Sequence, residues 1–175
     1  MRIARNLTAA AATATLVTGV TVLGTGTASA ASYKCTTSSK SIDRPGGTIN
    51  DNFNFSVKTC AKREGGYIYA KAYVNVDGPW GFGGQGGVTN DARALIQVKR
   101  SVSGTDPVSK YAYGTGLDSK LNNLDTYGNT SYTSPTVKHK PASGYRYLGD
   151  SVMQIDWPND GKGFISYSFS ASPTV

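Results

Sequence analysis

The chain has 175 residues, with 18 Lys and Arg against 11 Asp and Glu, one histidine and two cysteines. One His and two Cys are too few for the usual zinc sites, and no Gly-x-Ser-x-Gly elbow surrounds any serine. Abundant Gly, Ser, Thr, Asn and Tyr, with few Leu and a lone glutamate, disfavour helices and favour strands joined by turns.

Residues 1–30 carry Arg2 and Arg5, a weakly apolar run from Leu7 to Leu23, and Ala28-Ser29-Ala30 just before Ala31. A basic start, a short apolar stretch and small residues at the cleavage positions predict a signal peptide and a secreted, extracellular protein beginning at Ala31. Thr, Gly and Ala interrupt the run, which therefore lacks the roughly 20 apolar residues of a membrane span. Tyr33-Lys34 before Cys35 is not a lipidation signal. The Ala- and Thr-rich leader is similar in composition to those of exported proteins from high-GC Gram-positive bacteria. Without Arg2 and Arg5 the remainder has a net charge of about +5, which attracts acidic partners.

Residues 31–51 are polar and predict an N-terminal arm or irregular edge. Residues 52–175 predict one β-sandwich domain. Cys35 and Cys60 are expected to pair as a disulfide in an oxidising compartment, pinning the arm to the first strand. From Phe53 to Cys60, Phe53, Phe55 and Val57 alternate with polar residues, the period of a half-buried strand. Lys62 to Gly66 predicts a turn. Tyr67 to Val76 then places Ile68, Ala70, Ala72, Val74 and Val76 on one face and Tyr67, Tyr69, Lys71, Tyr73 and Asn75 on the other.

Gly78 to Gly87 is too rich in glycine for a regular element and predicts a loop carrying Trp80 and Phe82. Ala94 to Val102 alternates as a strand, although Thr89 or Asn90 are also suitable helix caps. Val108 to Tyr113 predicts a short strand. Leu117, Leu121 and Leu124 are spaced for a helical turn or a packed loop. Thr130 to Lys138 predicts a weaker strand, which Pro135 marks as an edge or a bulge. Ser151 to Trp157 and Phe164 to Ala171 form a final hairpin, with Ile165, Tyr167 and Phe169 sharing a face. Seven or so short strands predict an all-β, antiparallel β-sandwich of immunoglobulin-like or Greek-key type, with one disulfide.

Residues able to move protons are sparse. Glu64 and His139, with a basic surface, are the residue types of a small secreted ribonuclease-like hydrolase, but both lie in predicted turns or loops. Asp118, Asn122, Asn123 and Asp125, and separately Asp156, Asn159 and Asp160, are rich in oxygen but lack the spacing of a helix-flanked calcium loop, so no metal or cofactor is expected. Two features suit recognition: the row Tyr67, Tyr69 and Tyr73 with Lys71, and the pair Trp80 and Phe82 on the glycine loop. The expected function is a secreted, non-enzymatic binding protein acting through an aromatic surface, either a protease inhibitor or an adaptor subunit of an extracellular antibacterial toxin assembly. Its expected partner is an acidic extracellular protein or cell-wall glycan rather than nucleic acid. The alternative is the hydrolase using Glu64 and His139.

Overall fold

The computed structural model describes residues 31–45, 51–81 and 87–175. The expected signal peptide and Phe82 lie outside the described residues. Among those described, nine strands and one helix follow in chain order: β1 (Lys34–Asp43), β2 (Asn52–Glu64), β3 (Tyr67–Asp77), β4 (Asp91–Arg100), β5 (Val108–Gly114), α1 (Gly116–Leu121), β6 (Asn129–Thr133), β7 (Val137–His139), β8 (Tyr147–Asp156) and β9 (Phe164–Ser168). They form two antiparallel sheets, one ordered β1-β2-β3-β6 with β7 also on β3, the other ordered β5-β4-β8-β9. The chain changes sheet between β3 and β4, between β5 and β6, and between β7 and β8.

Alternation explains the best strands. Phe53, Phe55, Val57 and Ala61 of β2 and Ile68, Ala70, Ala72 and Val74 of β3 are fully buried, facing Ala92, Ala94, Ile96 and Val98 of β4 and Met153 and Ile155 of β8. Burial of a Val, Ile or Phe side chain stabilises by about 1.5 to 3 kcal/mol, so this interdigitated layer holds the sheets together. Gly65 and Gly66, both at positive φ (56° and 78°), make the two-residue turn between β2 and β3. Such a turn matches the twist of the strands it joins and requires left-handed backbone at both positions.

The all-β expectation holds, with two more strands than the alternation revealed. The polar segment after Ala31 is not an irregular arm: Lys34–Asp43 is a regular edge strand paired residue for residue with β2, and Cys35 opposes Cys60 in a disulfide. Its inner face meets the core only at the margin, where Ile42 is buried and Ser38 Oγ accepts a hydrogen bond from Ser170 N (2.8 Å). A strand that buries so little needs no apolar period, so its pattern is silent. The second extra strand comes from Pro135, which splits the expected 130–138 strand into β6 and β7 on the same edge of β3. At the break, Ser134 N donates to Ala72 O and Ser134 Oγ accepts from Ala72 N, so a side chain completes the ladder beside the proline.

The expected 94–102 strand is β4, which runs from Asp91 to Arg100 and is not a helix, so its alternation overrides the local capping signals. Leu117 and Leu121 of α1 and the following Leu124 are buried, as their spacing predicts. Where β8 crosses β2 and β3, a Cβ on Gly149 would sit 3.0 Å from the Cys60 carbonyl oxygen and 3.1 Å from Ala70 Cβ. Small residues at 61, 70 and 149 therefore set the close approach of the sheets. Further along, Phe53 and Trp157 meet with ring centroids 5.6 Å apart, and Trp157 Nε1 donates to Tyr167 Oη (3.0 Å). The strands of the two sheets thus run alongside each other, and their ends coincide.

Candidate functional site

Side chains that oppose each other across adjacent strands share a face of the sheet. On the outer face of the first sheet, register places Tyr67 beside Glu64, Tyr69 between Lys62 and Lys138, Lys71 beside Cys60, and Tyr73 beside Lys58. Tyr67, Tyr69, Lys71 and Tyr73 are half-buried: no second layer covers them and they are not freely solvated.

Each ring holds an ammonium group. Lys138 Nζ lies 4.0 Å from the centroid of Tyr67 and 5.7 Å from that of Tyr69. Lys62 Nζ lies 5.5 Å from Tyr69 and 5.1 Å from Tyr33. Lys71 Nζ lies 4.4 Å from Tyr33 and 4.7 Å from Tyr73. The result is one alternating ladder, Tyr67, Lys138, Tyr69, Lys62, Tyr33, Lys71, Tyr73, running about 20 Å along β3. A cation over a ring gains about 0.5 to 1 kcal/mol at an exposed site, so the ladder orders long side chains that would otherwise sample many rotamers.

The row Tyr67, Tyr69, Lys71 and Tyr73 is visible in sequence, whereas Tyr33, Lys62 and Lys138 are not. Tyr33 lies two residues before Cys35, and the disulfide carries it to Cys60, the strand neighbour of Lys71. Lys138 arrives on β7, whose pairing with β3 no local pattern announces. Lys62 also pairs with Glu64 (2.6 Å), and that carboxylate raises the ammonium above its ordinary pKa. Among the described residues, Lys71 and Lys138 have no carboxylate partner.

Trp80 does not join this ladder. It is 78% exposed, in the turn beyond the far end of β3. Four strand residues, about 13 Å, separate Tyr73, the last ring of the ladder, from Asp77. A third aromatic patch, unmarked by any motif, lies on the outer face of the second sheet. There the Arg93 guanidinium is held between Tyr113 (4.3 Å) and Phe164 (4.1 Å), and Nε donates to Gln154 Oε1 (2.8 Å). Tyr111 stands beside it, 54% exposed, with its ring 5.6 Å from Tyr113.

Four aspartates, Asp43, Asp77, Asp91 and Asp156, terminate strands at one end of the sandwich, the end marked by Phe53 and Trp157. Arg63, Arg100 and Lys138 lie at the opposite end, where Arg63 Nη2 donates to Tyr145 O (3.0 Å) and its guanidinium lies 6.0 Å from the Tyr147 ring. The ladder starts at that end, where Glu64 also lies, and reaches Tyr73 past the middle of β3.

The acid and base residues do not converge. Glu64 opposes Tyr67 on the outer face, whereas His139 opposes the buried Ile68, so the two lie on opposite faces with β3 between them. His139 packs against Tyr147 at a tilt with centroids 5.4 Å apart, and burial, then the positive charge of Lys110, lowers its pKa below the ordinary value. The oxygen-rich 118–125 segment has structural duties. Asp118 Oδ1 accepts from Thr89 Oγ1 (2.8 Å) and Asn122 Nδ2 (2.9 Å), docking the 87–90 segment on α1. Asp125 Oδ1 accepts from the backbone N–H of Tyr127 and Asn129, closing the turn into β6. Among the described residues, no group of three His, Cys, Asp or Glu is placed to hold a metal ion, and no helix is long and apolar enough to cross a membrane.

No protein-family model matches this chain, and comparison with curated proteins and with solved structures returns no match.

Proposed function

We propose that this protein is a secreted, non-catalytic binding protein whose contact surface is the tyrosine and lysine face of the first sheet. The ladder supports this reading: four half-buried rings and three ammonium groups are mutually ordered on an uncovered sheet face, and they need little further ordering to receive a ligand. The disulfide between Cys35 and Cys60 suits an extracellular setting, where such bonds form and persist. It joins β1 to β2 beside the ladder and fixes Tyr33 there. An adaptor role is the better supported of the two narrower readings, because it needs only a rigid module with an exposed face.

The test is retention of the folded protein on washed surface material from the producing cells. Retention that is lost in the Tyr69→Ala/Tyr73→Ala variant, with melting behaviour showing that the variant is folded, supports the reading. Equal retention of this variant and the wild type overturns it.

A further inference from the structure

We infer that the ladder is a track for a linear acidic polysaccharide, an inference that rests on the binding role proposed above. Charge is the first argument. Lys71 and Lys138 are fixed on ring faces, and among the described residues no carboxylate pairs with either, so the surface offers immobilised positive charge that only an external anion can meet. Asp43, Asp77, Asp91 and Asp156 terminate strands at the far end, away from the Tyr67 and Lys138 end of the ladder.

Shape and chemistry then separate the classes of polyanion. Protein interfaces deplete lysine at their centres, whereas lysine here recurs between successive rings, which disfavours an acidic protein. Single-stranded nucleic acid binds by stacking bases on open aromatic faces, and each ring of the ladder already has an ammonium over a face. A polysaccharide needs neither an apolar centre nor a free ring face. Its carboxylates or sulfates meet the ammonium groups, and its hydroxyls exchange hydrogen bonds with tyrosine hydroxyls, over a flat track about 20 Å long.

The experiment is calorimetric titration of the full chain with polygalacturonate at about 20 mM salt, where surface charges are weakly screened. Neutral dextran, poly-L-glutamate and oligo-dT serve as comparison ligands. The expected result is binding to polygalacturonate and none to neutral dextran. Lys71→Gln and Lys138→Gln should each weaken that binding about fivefold, the effect of one lysine beside an anionic surface. Lys120→Gln with Lys162→Gln removes two exposed charges at the aspartate-rich end and should leave affinity unchanged. Thermal melting confirms that each variant is folded.

Absence of binding overturns the inference, as does an equal loss in the Lys120/Lys162 variant, which would mean attraction by net charge alone. Tighter binding of polyglutamate would assign the face to an acidic protein, and tighter binding of oligo-dT to nucleic acid; either overturns the polysaccharide. If polygalacturonate fails while Tyr69→Ala/Tyr73→Ala still abolishes retention on cell-surface material, the ligand class is wrong and the binding role survives. If both experiments fail, both fall.

Discussion

The hydroxyl of Thr59 on β2 lies 2.6 Å from that of Ser151 on β8, so two buried polar side chains satisfy each other between the sheets. An unpaired buried hydroxyl costs about 1 to 3 kcal/mol, whereas a pair removed together leaves nothing unsatisfied. Thr59→Val alone and Ser151→Ala alone should each destabilise by that amount, and the double variant by clearly less than their sum. Urea unfolding of the four proteins of the cycle measures the coupling. Strict additivity would show that the two groups do not depend on each other.

His139 makes stability depend on pH. Burial and Lys110 lower its pKa in the folded protein, so the unfolded chain binds the proton more tightly. Above the ordinary histidine pKa of about 6.5 neither state is protonated and the contribution is fully present. As the pH falls below that value the unfolded state gains a proton first, and stability declines until the folded pKa is passed. The wild type should therefore lose more stability between about pH 7.5 and about pH 5.5 than His139→Gln, as read from urea midpoints. Parallel profiles would remove His139 as the source.

Trp80 offers a clean separation of surface from core. At 78% exposure its ring contributes little burial, so Trp80→Ala should change stability by less than about 0.5 kcal/mol. The chain has two tryptophans, and the fully buried Trp157 then becomes the only fluorophore of its type. Native emission should shift to the blue and move to the red on unfolding. A stability loss above about 1 kcal/mol would mean that the Trp80 ring is packed against the domain.

How far the site can be read from sequence depends on where each of its parts comes from. The row Tyr67, Tyr69, Lys71 and Tyr73 lies within one strand, and an alternation of period two displays it directly. Tyr33 and Lys138 reach the same face through a disulfide and through the pairing of β7 with β3, contacts that span many residues of chain. The Arg93, Tyr113 and Phe164 cluster draws on three strands and has no local signature at all. Glu64 and His139 look like partners as residue types, yet the parity of their registers sends them to opposite faces.

The sequence by itself determines an all-β chain, the buried faces of β2, β3 and β4, the packing of Leu117 and Leu121, and the pairing of two lone cysteines. Each follows from local periodicity, composition or simple counting, because side-chain direction in a strand repeats every two residues. Only the tertiary structure decides that a polar segment becomes the edge strand β1, that three lysines settle between four tyrosine rings, and that four aspartates terminate strands at one end of the sandwich. Those outcomes depend on strand order and register, which are set by the burial of apolar faces contributed from distant parts of the chain.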